Sequence, residues 1–237
     1  MLSKISFVLV KPQLGENIGA TARALKNFNF SNLILVSPRD GWPNKKAEAT
    51  SANASDIIKK TKKFLNIKKA LKEFNVVFSF SARERDINKK HLNITEFIKI
   101  LKNFKKQKIG LVFGPESSGL SNDDLSYSNY IVKIPTSNYC SINLSHSVLI
   151  VCYEIFKSRN LKSKTKNKST KISKKRDLFK FTDLLIKLLT KKNFFKPNEK
   201  RKSMVQNLYN LFFKLELNSK ELRILASIVS TLSKKNF

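Results

Sequence analysis

Short, nearly all-apolar runs alternate with segments of helical period over residues 1–156, and this alternation restricts the fold more than any other feature. Ile5–Val10 (ISFVLV) reads as a buried strand. Asn17–Phe28 follows with Ile18, Ala22, Leu25 and Phe28 at helical spacing. Leu33–Val36, Val76–Phe80 and Ile109–Phe113 read as further strands, as does Tyr130–Ile134, which stops at Pro135. Phe64–Phe74, Ile94–Phe104 and the apolar Ile142–Phe156 read as helices between and after them. Strand and helix in turn predict one α/β domain over residues 1–156.

Lys157–Arg176 breaks the pattern, with ten basic residues, no acid and four serines. It has too little apolar area to bury and reads as a tether or solvated linker, one that also has the charge to track a phosphate backbone. Residues 177–237 return to helical period. Leu178, Phe181, Leu184, Leu185, Leu188 and Leu189 form one stripe, and Met204, Leu208, Leu211, Phe212 and Leu215 a second. Ser219 is a plausible N-cap for a third helix carrying Leu222, Leu225 and Ile228. This α-helical extension holds no catalytic set and reads as a unit that binds substrate or a partner.

The chain carries 47 Lys and Arg against 17 Asp and Glu, a net charge of +30. So strong a field favours a polyanion, either nucleic acid or an anionic membrane surface. Only eight of the basic residues are arginine, so part of the excess reads as AT-rich codon usage. No apolar run approaches the roughly 18 residues of a membrane span. Met1–Val10 reads as a strand and not as a secretory leader, so a cytoplasmic protein is expected. Cys140, Cys152, His91 and His146 lack metal-ligand spacing, so neither a metal site nor a disulfide framework is expected.

Three constellations carry chemistry. Asn17-Ile18-Gly19-Ala20-Thr21-Ala22-Arg23 puts Gly19 and Arg23 on one helix face among small residues. The planar fork of arginine suits a phosphate, although a lone helical arginine is more often a surface ion-pair residue. Phe113-Gly114-Pro115-Glu116-Ser117-Ser118-Gly119-Leu120 is a glycine loop directly after a strand, where backbone can approach a ligand. Leu120 stands where a P-loop needs lysine, and G-x-G-x-x-G is absent, which disfavours both nucleotide motifs. Ile134-Pro135 and then Tyr139-Cys140-Ser141-Ile142-Asn143-Leu144 open a helix that Ser141 can cap. With no base spaced to activate it, Cys140 reads as a buried inert thiol.

In this order the three constellations resemble the motifs of the SpoU/TrmH branch of the SPOUT methyltransferases. The run from Phe7 to Phe28 and the tail sequence KELRILASIVSTL are most similar to the TrmJ-type group, which methylates the 2′-OH at position 32 of tRNA. The resemblance covers nearly the whole chain, the basic segment least. It implies an α/β domain with a parallel sheet and a C-terminal trefoil knot, followed by a small α-helical extension. It implies S-adenosylmethionine as cofactor, RNA (a tRNA) as partner, and a homodimer paired through Asn17–Phe28 and Ile142–Phe156. Phe80, Ser81, Ala82, Gly114, Ile134, Cys140, Ser141 and Ile142 would bind the cofactor through main-chain contacts. Arg23 and Ser141 would form the catalytic set, with Asn17, Glu116 and Asn143 ordering the site and substrate. Two positions depart from the pattern: Phe80 replaces the usual threonine and Asn53 a common glycine.

A sulfonium methyl needs no metal to activate it, so the enzyme's task is to align a ribose oxygen and remove its proton. An arginine side chain is cationic across the ordinary pH range and a poor base, so orientation and charge stabilisation are the expected work of Arg23. The same chemistry on rRNA or another tRNA position is one alternative. An RNA-binding protein without catalysis is the alternative of another class.

Overall fold

The computed structural model describes residues 4–83, 87–158 and 171–234. Seven strands form one sheet: β1 (Ile5–Val10), β2 (Leu33–Val36), β3 (Lys62–Phe64), β4 (Val76–Phe80), β5 (Lys90–Asn93), β6 (Ile109–Phe113) and β7 (Tyr130–Lys133). Their spatial order is β3-β2-β1-β6-β4-β7-β5, and every pairing is parallel. All-parallel sheets are covered on both faces, which is why β4 and β6 are buried at every residue. Helices α1 (Gly15–Asn27), α2 (Lys45–Thr50), α3 (Ser55–Lys60), α4 (Ile67–Leu71), α5 (Ile94–Leu101), α6 (Asn122–Ser126) and α7 (Leu144–Lys157) complete the α/β domain.

The segments missed from sequence share a cause. β3 (KKF) and β5 (KHLN) lie at the two ends of the sheet, where charged side chains blunt an open edge and erase the apolar pattern. The expected helix Phe64–Phe74 is therefore the end of β3 followed by the shorter α4. Helix α2 buries only Ala47 and offers no stripe to read. In the turn that follows, the left-handed residue is Ala52 (φ +48°), not Asn53.

Most of the expected tether, residues 159–170, lies outside the described residues. Its end is fixed: Asn75 Nδ2 donates to Ile172 O at 2.7 Å, Ser173 N–H to Leu217 O at 2.8 Å and Lys175 N–H to Phe74 O at 2.8 Å. Helix α8 (Lys175–Lys191) thus begins against the α/β domain, before Asp177, and α9 (Arg201–Phe213) and α10 (Ser219–Lys234) follow. One buried cluster runs from Val8, Val77 and Leu125 of the α/β domain to Leu178, Phe179 and Phe213 of the tail. In α9 the buried face is Tyr209 and Phe213, and Leu211 of the expected stripe is exposed. The reason is an aromatic pocket in which Tyr127, Phe179, Tyr209 and Phe213 meet at 4.8–6.3 Å. The cap of α10 is Asn218, whose Oδ1 accepts from Glu221 N–H while the Glu221 side chain accepts from Asn218 N–H. That reciprocal pair displaces Ser219 from the role.

Lys175 is fully buried at this joint, with Nζ 3.3 Å from Phe213 O and 4.8 Å from the Phe213 ring. Burial pushes its pKa down to about 7, with Glu216 a lesser opposing influence. The unfolded chain therefore binds this proton more readily than the folded chain between pH 7 and the ordinary lysine range near 10.5. The burden on stability is greatest at pH 7 and below and lifts as pH rises towards 10.5. A Lys175→Met chain is expected to exceed the parent in urea midpoint at pH 7, with the difference shrinking steadily to pH 10.

Candidate active site

In a parallel sheet the loops that leave the carboxyl ends of neighbouring strands gather at one edge. Here β6, β4 and β7 are neighbours, so the loops after Phe113, Phe80 and Lys133 meet although they are distant in sequence. They enclose a cavity of about 360 Å³. Phe80, Ser81 and Ala82 line it from the β4 loop, Gly114 from the β6 loop, and Ile134, Cys140, Ser141 and Ile142 from the β7 loop. Cys140 is exposed there and not buried as expected, because it lies on the loop before α7 and not in a packed element. Phe80 also stacks on Phe113 at 4.5 Å and 2°, so the phenylalanine that replaces threonine completes an aromatic wall.

The β6 loop requires glycine for a measurable reason. A Cβ on Gly114 would stand 2.3 Å from Leu120 N and 2.4 Å from Gly119 C. Gly119 is left-handed (φ +65°) and its N–H returns to Pro115 O at 2.9 Å. The loop folds on its own backbone and Leu120, fully buried, pins it to the core. Main-chain groups are thereby brought to the cavity wall.

Glu116 lines the same cavity and holds the first constellation to the second. Its carboxylate accepts from Gln13 N–H at 2.8 Å, Leu14 N–H at 3.2 Å and Asn17 Nδ2 at 2.8 Å. Asn17 Oδ1 then accepts from Asn143 Nδ2 at 3.0 Å. Asn143 Oδ1 accepts from Ser145 N–H at 2.9 Å and so caps α7. The expected cap, Ser141, is exposed at the cavity and α7 begins two residues later than expected, because Asn143 is the residue tied to both neighbours.

Arg23 is not brought to this cavity. It is exposed on α1, six residues and about 9 Å of helix rise beyond Asn17. The small residues of α1 face protein and not ligand: a Cβ on Gly19 would lie 2.0 Å from Thr50 Oγ1 and 2.3 Å from Ala47 O of α2. The arginine at the cavity is Arg83, which sequence reasoning left out although it directly follows Ser81-Ala82. Ser147 of α7 also lines the cavity, and Gln13 reaches Ser117 at 3.0 Å. No pattern in the sequence marks either of them. Among the described residues no group of three or more His, Cys, Asp or Glu is placed to hold a metal ion, and no helix is long and apolar enough to cross a membrane.

Sheet, loops and cavity make an α/β domain with a concave site at the carboxyl end of its strands. Residues 4–153 match the SpoU rRNA Methylase family, and the chain belongs to that family. It is 33% identical to a tRNA (cytidine/uridine-2′-O-)-methyltransferase TrmJ of Sodalis glossinidius, over 98% of this chain and 92% of the relative. It is 32% identical to a tRNA (cytidine-2′-O-)-methyltransferase TrmJ of Methanocaldococcus jannaschii, over 92% and 93%. The crystal structure of TrmJ from Z. mobilis ZM4 superposes with a TM-score of 0.88 at 30% identity, covering 97% of this chain and 99% of that one.

The hydrogen-bond line through Asn17 has one workable polarity, which gives a direct check. Asn17→Asp places a second carboxylate against Glu116 and removes the donor it needs. Unfolding stability is expected to fall by about 2 kcal/mol, with Asn17→Ser milder, read from urea denaturation of both variants.

Proposed function

We propose that the chain is an S-adenosylmethionine-dependent RNA 2′-O-methyltransferase whose substrate is tRNA, modified at anticodon-loop position 32. The observation that carries the reading is the cavity walled by backbone from three loops, at which a side chain on Gly114 would collide. Its volume lies within the roughly 300–1,000 Å³ usual for cofactor pockets. Its lining mixes apolar Ile134, Ile142 and Leu144 with main-chain polar groups, which suits a nucleoside. The cofactor, when bound, supplies a methyl group already activated by a sulfonium.

The chain's own residues hold and orient. Phe80-Ser81-Ala82, Gly114, Ile134 and Cys140-Ser141-Ile142 are positioned to grip the cofactor. Glu116, Asn17 and Asn143 lock the two loops and the start of α7 into one frame. Arg83 and Ser141 both line the cavity and would meet a ribose and its phosphate there. The family's trefoil knot would lie where the folded-back Gly114–Leu120 loop meets the approach to α7. The +30 charge supports a polyanionic substrate, and the relatives' names support tRNA; a chain acting on that substrate would work in the cytoplasm.

Arg23 acts in a homodimer in this reading. Leu149, Tyr153 and Phe156 share one face of α7 and are exposed, and Phe28 of α1 meets Tyr153 at 6.1 Å and Phe156 at 5.6 Å. Such a face suits burial against a second copy. An arginine that does not line its own chain's cavity would then serve the neighbouring one.

Methyl transfer from labelled S-adenosylmethionine to unmodified tRNA transcripts, with mapping of the product, tests the proposal. A mark at position 32 is the expected result. A mark elsewhere in tRNA overturns the position, and transfer to rRNA alone overturns the substrate. A chain that binds no S-adenosylmethionine is an RNA-binding protein instead. The shared site has its own check: Arg23→Ala and Gly114→Ala are each expected to be inactive, and co-expressed chains to regain a substantial fraction of parental turnover. Mixtures as inactive as either variant alone would place Arg23 outside the partner's site.

A further inference from the structure

The loop from α8 to α9 has features that the methyl-transfer site does not use. Lys192 ends α8 and Asn193 is left-handed (φ +55°). Asn193 N–H donates to Thr190 O at 3.1 Å and Phe194 N–H to Leu189 O at 3.0 Å. These paired bonds are the Schellman closure of a helix, with asparagine at the position that few side chains tolerate. They fix the backbone at Phe194. The next residue, Phe195, is buried, with Arg201 over its ring at 5.6 Å, and anchors the loop. Phe194 itself is 51% exposed, its ring edge-on to Phe195 at 5.3 Å. A rigid loop thus holds a phenyl ring half out of the surface.

The sequence flanking this ring is one-sided in charge. Residues 187–202 contain seven cations and a single acid, Glu199. All seven are exposed, and none enters an ion pair among the described residues. Lys191 and Lys192 sit at the C-terminus of α8, where the helix dipole favours a cation. Lys200, Arg201 and Lys202 sit at the start of α9, where it does not, and that first turn holds no acid and no side-chain cap. Stability alone would select the opposite sign there. Cations kept against the local field, beside a presented aromatic ring, are what an unpaired stretch of RNA recognises: phosphates meet the lysines and a base meets the ring.

We propose that this loop is a second RNA-contact surface, in which Phe194 stacks on an unpaired nucleobase and Lys196 and Lys200 hold neighbouring phosphates. The proposal rests on the reading of the chain as an RNA methyltransferase. The exposed ring favours RNA over an acidic protein, since every base offers a face to stack on and an acidic side chain does not.

The test is binding of the full chain to an unmodified tRNA transcript at fixed salt, with methyl transfer at saturating tRNA measured beside it. Phe194→Ala and Phe194→Leu are expected to weaken binding about tenfold, and Phe194→Trp to restore it. Lys196→Glu with Lys200→Glu is expected to weaken binding and to reduce the salt slope by about two. Affinity for S-adenosylmethionine and turnover at saturating tRNA stay as in the parent. Phe194→Leu binding as well as the parent overturns the stacking surface, as does a Trp variant as weak as the Ala variant. Sensitivity to acidic protein but not to tRNA would assign the loop to a protein partner and overturn it too. A parent that binds tRNA through this loop but methylates none keeps the loop and removes the tRNA-modification reading.

Discussion

The carboxylate of Glu116 only accepts hydrogen bonds, and the geometry of the site follows from that one-way character. Two backbone N–H groups before α1 and the amide nitrogen of Asn17 supply the donors. Asn17 must turn its nitrogen to Glu116, so its oxygen faces Asn143. Asn143 must answer with its own nitrogen, so its oxygen is left for the N-terminus of α7. Three constellations, the first 99 and 126 residues from the other two, thus share one orientation. No member can reverse its amide without setting acceptor against acceptor. A site built this way is aligned before any ligand arrives, and alignment is the main thing an already activated methyl group requires of a protein.

The sheet order supplies what the hydrogen bonds then lock. Because β6, β4 and β7 are adjacent, three loops of unrelated sequence open at one edge. Gly114 allows the β6 loop to fold back on Gly119 and Leu120, turning its main chain into cavity wall. The Phe80 ring stacks on Phe113, and both residues line the cavity.

The central strands and the three constellations were legible because burial on both faces demands continuous Val, Ile, Leu and Phe, and because the glycines and amides stand at fixed spacing. The edge strands were not, since KKF and KHLN carry charges that protect an open edge. The small face of α1 is covered by α2 at Ala47 and Thr50, and α2 itself has almost no apolar pattern to read. Ser141 and Asn143 are both residues that cap helices, and only the long-range bond to Asn17 decides between them. The same holds for Ser219 and Asn218, decided by Glu221. In α9 the aliphatic stripe was the visible signal, but the pocket that accepts the helix is aromatic and takes Tyr209 and Phe213. Where local pattern and tertiary fit competed, tertiary fit prevailed.

The joint between tail and α/β domain shows the same tension between stability and use. Lys175 is buried without a close carboxylate, and Lys89 is buried nearby with its ammonium on the carbonyls of Ser126 and Ser128. Burial holds the pKa of Lys89 well below the usual lysine range, with the charges of Lys175 and Lys214 adding to the effect. An apolar joint would be firmer, since methionine or leucine would fill the same volume with no charge to desolvate. The lysines at the start of α9 likewise oppose the helix they begin. Codon bias explains a surplus of lysine on a solvated surface, where it is cheap to carry. It does not explain lysine in a buried joint or at a helix start, where each one works against folding. At those positions a basic residue is kept at a cost to the chain's own stability.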